Sequence, residues 1–394
     1  MFSRRQNRIY LDEAASAPAS KAALKAYATH LALVGNPSSL HAEGVRAKEV
    51  LTDARVRLAR LTQVRAHGVI FTSGATEANT LAIQGYIDAQ IQAGKNYSDL
   101  HVLYHAGAHA SVVENVQALT KRGVLVEELA LLNGVPDIQK IHTQIRPETV
   151  LVVLELVSGE TGTIFDTRDV RRALDHAVKH TSRHIHLHVD ASQAPRVRSV
   201  ALSHVGADSL SLDAQKVGGV RGIGALLLTH TARVMPIMHG GPQENGLRPG
   251  TENPALASAF ITALEECEQQ REKFLEKASV LRTEFLSLLS SIERMEVQES
   301  KEQAAHIVNT SFVGGDTDYL LFLLDAQGIA VSTKSACESA QEGSRMVLLM
   351  TNDPARARST LRISWGPQTT KKELASCAKA IQQNVRFLDK TAIY

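Results

Sequence analysis

The sequence predicts an α/β protein: a large, mostly parallel sheet with helices on both faces, followed by a smaller α/β region toward the C-terminal end. Three observations carry that expectation. Apolar, β-branched runs such as "VIFTS", "TVLVVLELV" and "GIGALLLT" recur between residues 69 and 229, with the near-continuous hydrophobicity of strands buried on both faces. Helical periodicity lies between most of them, which is the spacing of crossover units. A chain of 394 residues also has the length for about two domains.

In order along the chain, apolar periodicity gives helices over 20 to 33 and 40 to 63. The stretch "HGVIFTSGATEANTLAIQGYI" reads as a strand breaking into a helix. "HVLYH", "VLVEELAL", "TVLVVLELV", "HIHLHVDAS", "ADSLSL" and "GIGALLLT" follow as short strands, with helical patterns such as 110 to 122 and 167 to 180 among them. A long charged helical stretch opening with "NPALASAFITALEEC" then separates this region from the C-terminal third. There "HIVNTSF" and "IAVST" are strands around a helix at 317 to 327, and a helix from about 370 to 387 closes the pattern.

Composition narrows the classes. With 44% hydrophobic and 21% charged residues the chain is an ordinary globular protein rather than a disordered one. A formal net charge of +2 offers no footprint for nucleic acid or an anionic membrane surface. No run approaches the length of a transmembrane helix, and "MFSRRQNRIYLDEA" lacks the apolar core of a signal peptide, so the expectation is a cytoplasmic protein. Three cysteines, at 267, 337 and 377, are too few and too scattered for a disulfide framework or a zinc site.

In a parallel α/β sheet the ligand sits beyond the carboxyl ends of the strands. After "VIFTS" come Gly74, Ala75 and Thr76, which open a helix and offer N–H groups, a hydroxyl and a positive dipole end to a phosphate. Helix capping is the competing role. His109 follows "HVLYHAGA"; its flat ring can stack on an aromatic cofactor, or serve only in packing. Asp190 ends an apolar strand with Gln193 three positions on, and a carboxylate there needs a partner or caps the next helix. Lys216 follows "ADSLSL"; burial lowers a lysine's pKa and suits it to Schiff-base chemistry. Together these positions ask for a flat ring bearing a phosphate, a ring nitrogen with an anionic partner, and an aldehyde for the amine. Pyridoxal phosphate has all three.

Longer segments carry a resemblance. "YLDEAASAP", "GNPSSLHAEG", "FTSGATEAN", "HVDASQ", "QKVGGVRGIGAL", "MHGGPQENGLRPGTEN", "VSTKSACESA" and "STLRISWG" are similar to the class V aminotransferases, and within them to the cysteine desulfurases. The resemblance implies the fold type I of pyridoxal-phosphate-dependent transferases, with a large cofactor-binding domain over 17 to 264. Residues 1 to 16 and 265 to 394 would form a small domain carrying the catalytic cysteine loop. It implies that Lys216 holds the cofactor and acts as base at the substrate Cα, that Asp190 pairs with the ring nitrogen, and that Gln193 contacts the ring hydroxyl. His109 would stack on the ring and take part in catalysis, while Ala75, Thr76 and Gln215 would bind the cofactor, Thr76 through its phosphate. Thr251, in "RPGTEN", would reach the phosphate from a second subunit, hence a homodimer. Cys337 would be the nucleophile, and Arg362 would grip the carboxylate of L-cysteine. The implied reaction yields L-alanine and a persulfide on Cys337. An acceptor protein, such as an iron-sulfur scaffold or a tRNA-thiolation factor, would collect the sulfur. The twenty-five positions from Cys337 to Arg362 resemble the desulfurases with an extended cysteine loop.

Five positions depart from the family pattern. Asp213, Ala214 and Gln215 stand before Lys216 where Ser-Gly-His is usual, Gly159 stands for an asparagine, and Lys334 for a glycine. An ionised Asp213 about 5 Å from a phosphate would repel it by about 3 kcal/mol at an effective dielectric near 20, unless it is protonated, rotated away or paired with a cation. Gln215 can donate a hydrogen bond but not shuttle a proton. Two other readings therefore stand beside the desulfurase: another class V enzyme, such as an aminotransferase or a selenocysteine lyase, and a catalytically weakened dimeric scaffold for sulfur-transfer partners.

Overall fold

A computed structural model describes residues 8 to 181, 183 to 333 and 343 to 391. The chain enters through β1 (Ile9–Tyr10), α1 (Lys21–Leu31) and α2 (Ala42–Thr62). Ser20 starts α1 by accepting the N–H of Ala23, and Gln63, left-handed at φ 57°, ends α2. Strands and helices then alternate: β2 (Val69–Thr72), α3 (Ala75–Gln92), β3 (His101–Tyr104), α4 (Ala110–Thr120) and β4 (Leu125–Glu128). After the small hairpin of β5 (Leu131–Leu132) and β6 (Val135–Pro136) come α5 (Ile138–Gln144), β7 (Thr149–Glu155), α6 (Thr167–Ala177) and β8 (His186–Asp190). The short α7 (Leu202–Val205), β9 (Ser209–Asp213) and β10 (Gly224–Leu228) complete this half.

Seven strands form the main sheet in the order β2-β10-β9-β8-β7-β3-β4. The pairs β4–β3, β3–β7, β7–β8 and β8–β9 are parallel, as the sequence predicts. Strand β10 runs antiparallel to both neighbours, because residues 214 to 223 are too few for the crossover a parallel return needs. At its first residue, Gly224, a Cβ would come 2.7 Å from the Cα of Gly74, so β10 passes flush against the turn into α3. Strands β2, β3, β7, β8, β9 and β10 are buried along their whole length, which is why they read as unbroken apolar runs; β4, at the edge, is not.

The 36-residue α8 (Pro254–Leu289) is capped by Asn253 and carries Pro254 in its first turn. Its N-terminal part packs Phe260, Ile261 and Leu264 into the core of the main sheet. Its C-terminal part packs Leu281, Phe285 and Leu289 into a second core with Leu11, Trp365 and Ile381. That second core lies in the region of β11 (Met295–Val297), β12 (Ile307–Phe312), α9 (Thr317–Ala326), β13 (Ile329–Ala330), α10 (Arg345–Thr351), α11 (Pro354–Arg358), β14 (Thr360–Ser364) and α12 (Lys371–Thr391). Here β11, β12 and β14 form an antiparallel sheet, and β1 pairs in parallel with β13. Strand β14, "TLRIS", escapes a periodicity reading because a buried arginine sits at its centre. Among the described residues no helix is long and apolar enough to cross a membrane.

Candidate active site

The carboxyl ends of β2, β3, β7, β8 and β9 open on one edge of the sheet, around a cavity of about 310 Å³. That volume is in the range of small-molecule sites. Ala75, Thr76, His109, Asp190, Gln193, Gln215, Lys216 and Arg362 all line it. Thr251 does not; it is exposed in the segment before α8. Cys337 and Lys334 lie outside the described residues.

Lys216 stands in the turn after β9, and its Nζ donates to the carbonyls of Ala14 at 2.9 Å and Ala15 at 2.7 Å. Two neutral carbonyls thus orient the amine. Asp190 closes β8 and is buried. Its Oδ1 accepts the N–H and hydroxyl of Ser192 at 2.9 and 2.6 Å, and its Oδ2 accepts the side-chain amide of Asn79 at 2.8 Å.

Asn79, on α3, is the hub of a network that short motifs do not reveal. It donates to the Ser111 hydroxyl at 2.8 Å and accepts from the Ser211 hydroxyl at 2.5 Å and from His188 Nε2 at 3.0 Å. Ser209 Oγ then joins His188 Nδ1 at 2.9 Å to His186 Nε2 at 2.7 Å. The two-residue period of a strand puts His186, His188 and Asp190 on one face of β8, beside Ser209 and Ser211 on β9. Burial pushes the His186 imidazole down to about 3 and the His188 imidazole to about 4, so both rings are neutral near pH 7. The alternation in "HIHLHVD" was the available signal, but nothing in it points to a residue on α3.

His109 stands at the head of α4, on the wall of the cavity. It caps α4, its Nδ1 accepting the N–H of Ser111 at 3.1 Å and meeting the Ser111 hydroxyl at 2.8 Å, and it walls the cavity. A backbone N–H can only donate, so Nδ1 is unprotonated and the ring neutral. Burial, followed by a smaller contribution from Lys216, holds its pKa below the ordinary value despite Asp190 and Asp213.

Arg362 reaches the cavity from β14, donating to Asp12 Oδ1 at 2.7 Å and to the Gly159 carbonyl at 2.8 Å. Among the described residues its buried Nε has no hydrogen-bond partner. Gly159 has a packing reason: a Cβ there would lie 3.0 Å from Gln193 Nε2, and Gln193 is held in that space by donating to the Ala14 carbonyl at 2.7 Å. Next to it Glu160, unmarked in the sequence reading, is a buried acid lining the cavity, its carboxyl pushed up by burial.

Asp213 ends β9 with its carboxylate turned to the start of α3. Oδ2 accepts the N–H of Ala75 at 3.0 Å, and Oδ1 that of Gln215 at 3.1 Å. It has therefore not rotated away from the cavity.

Cys267 and Cys377 are poor nucleophiles, since burial pushes their thiols up to about 11 and about 12, and neither lines the cavity. On either side of the segment carrying Cys337, Ser332 bridges backbone-to-backbone with Arg362, and Ser344 caps α10.

Three kinds of comparison agree with this geometry. Residues 9–376 match the family model described as aminotransferase class-V. The chain is 30% identical over 369 residues to cysteine desulfurase IscS 1 of Archaeoglobus fulgidus, covering 93% of this chain and 94% of the relative. It is 32% identical over 390 residues to cysteine desulfurase IscS of Neisseria meningitidis serogroup C, covering 96% and 92%. Among solved structures, a NifS-like protein superposes with a TM-score of 0.88 at 26% identity, over 97% of this chain and 100% of that one. SspA in complex with cysteine superposes with a TM-score of 0.77 at 28% identity, over 92% and 99%.

Proposed function

The chain belongs to the class V aminotransferases and, within them, to the cysteine desulfurases, and from that premise we propose which of its residues perform the reaction. It is a pyridoxal-phosphate enzyme that takes sulfur from L-cysteine and leaves L-alanine. The observation that carries the assignment of roles is the convergence of Lys216, Asp190, His109 and Arg362 on one cavity from four different segments.

The residues fit the cofactor at three of its four faces. A buried carboxylate, Asp190, meets a ring nitrogen; a neutral imidazole, His109, lies against a ring; and an amine, Lys216, meets an aldehyde. When bound, pyridoxal phosphate supplies the electrophilic carbon for that amine and the electron-withdrawing ring that acidifies the substrate Cα–H. Asp190, held by Asn79 and Ser192, fixes the ring nitrogen. Gln193 reaches the ring hydroxyl, and Thr76 faces the phosphate. Arg362 binds the carboxylate of L-cysteine, for which its Nε, without a partner among the described residues, is an available donor. Lys216 moves the Cα proton.

We assign the nucleophile to Cys337, the position that matches the family's cysteine loop; the raised thiols of Cys267 and Cys377, which do not line the cavity, agree with that. Four positions separate it from Thr333, and the neighbouring Ser332 bridges to Arg362. Its thiolate attacks the substrate sulfur; an S–S bond forms, the Cβ–S bond breaks, and the electron pair left at Cβ takes a proton to give the methyl group of alanine. The persulfide then passes to an acceptor protein or thiol, with iron-sulfur assembly and tRNA thiolation as the processes it would serve. The same reading makes residues 17 to 264 the cofactor domain, residues 1 to 16 and 265 to 394 the small domain, and the active unit a cytoplasmic homodimer in which exposed Thr251 completes the partner's phosphate site.

The test is alanine formation from L-cysteine, measured beside transamination and with selenocysteine as competitor. Wild type should form alanine and develop a visible imine absorbance with pyridoxal phosphate. Lys216→Ala should lose the absorbance, and Cys337→Ser should keep it while losing persulfide. Transamination without alanine would replace this reading by that of an aminotransferase.

A further inference from the structure

The phosphate end of the cavity is the face that does not fit. An incoming phosphate would use the first N–H groups and positive end of α3. In this chain the N–H of Ala75 already has an anionic partner, Asp213 Oδ2 at 3.0 Å, and the second carboxylate oxygen holds the N–H of Gln215 at 3.1 Å. The carboxylate is pressed into the turn: a Cβ on Gly74 would be 3.1 Å from Oδ2. The chain has thus placed an anion of its own at the anion-binding corner of the site.

Among the described residues few cations offset it. From the turn after β9 it is faced by Lys216, whose amine is committed to the cofactor's aldehyde once that is bound; from β8 by Asp190, a like charge; and from the head of α4 by His109, which is neutral. In the first turn of α3, Glu77 is already paired with Arg248 at 3.0 Å. Gln215 adds a neutral side chain. Burial, with Asp190 adding to it, raises the Asp213 carboxyl above its ordinary value.

We propose that Asp213 is the affinity-determining residue at the phosphate end, and that this chain holds the phosphate only together with one extra proton shared between the carboxyl and the phosphate. A carboxylic acid donates a short, strong O–H···O⁻ bond to a phosphate, whereas two anions at that distance repel. One proton is taken up from solution for each cofactor bound. Occupancy by pyridoxal phosphate therefore falls as pH rises, and the cofactor is exchangeable where a serine at 213 would make it resident. The inference rests on the pyridoxal-phosphate reading given above.

The experiment measures the dissociation constant of pyridoxal phosphate by imine absorbance and equilibrium dialysis between about pH 6 and 9 for the wild type, Asp213→Ser and the isosteric Asp213→Asn, with phosphate-free pyridoxal as a second probe. At the alkaline end both variants should bind pyridoxal phosphate about a hundredfold more tightly than wild type, the gap closing toward the acid end. Pyridoxal should bind equally to all three, because it brings no phosphate to repel. Equal affinity for pyridoxal phosphate at every pH, or a gain for pyridoxal as large as for pyridoxal phosphate, overturns the role of Asp213 alone. Imine absorbance in none of the three proteins overturns the cofactor reading, and this inference with it.

Discussion

Asp190 owes its orientation to groups far from it in sequence. Asn79 lies 111 positions away, and through it the carboxylate is tied to His188, Ser209 and His186. Removing the hub leaves several buried polar groups without partners at once. Asn79→Leu should therefore cost about 2 to 4 kcal/mol in denaturant unfolding, more than a lone hydrogen bond. It should also shift the pH at which the bound cofactor's absorbance titrates, which a purely structural loss would leave in place. Arg362 makes a second prediction at this scale. Arg362→Lys keeps the charge facing Asp12 but loses the planar fork, so KM for L-cysteine should rise about ten- to a hundredfold while pyridoxal phosphate binds as before; an unchanged KM would remove Arg362 from the substrate site. Lys216, Asp190, Gln193 and His109 were legible because each follows an apolar strand, where a polar residue stands out. Asn79, Glu160 and Asp12 were not, since each becomes part of the site only through the packing of distant elements.

At the scale of elements, α8 is the connection between the two cores. Phe260 is fully buried in one and Phe285 nearly so in the other, and each to alanine should cost about 3 to 5 kcal/mol. Phe285→Ala should loosen the antiparallel β11-β12-β14 region, and with it Arg362, while the imine absorbance persists; Phe260→Ala should weaken that absorbance too. Hydrogen exchange on the two variants, reporting on β12 and on β8, checks the difference, and identical patterns would count against two separable cores. The alternation of strands and helices was readable because buried parallel strands impose an uninterrupted apolar composition. The reversal of β10 was not read, although the short connection from β9 permitted the deduction. Strand β14 was hidden because Arg362, buried at its centre and lining the cavity, breaks the apolar run.

At the scale of the whole molecule, several of the described histidines are buried without charge. Burial takes His105 and His188 down to about 4, and His186 and His306 to about 3, from an ordinary 6.5. The unfolded chain binds protons at these positions first, so the stability they contribute is complete above about pH 6.5 and is lost as pH falls toward about 4. Each contributes a slope of about 1.4 kcal/mol per pH unit. The raised carboxyls of Asp213 and Glu160 work in the other direction, favouring the fold at low pH and losing that contribution as pH rises. The net loss should be about 2 to 5 kcal/mol per unit between pH 6 and 5, read from urea midpoints; stability that does not fall over that interval would contradict the neutral buried rings. The sequence by itself determined the alternating architecture, the residues at the strand ends and the family, because those are properties of composition, period and short-range motif. Only the tertiary structure decided that Asn79 orients Asp190, that Gln193 fills the space beside Gly159 and that Asp213 turns into the head of α3. Each of those depends on which side chains distant segments bring within about 3 Å of one another, a distance at which hydrogen bonds form and like charges exclude each other.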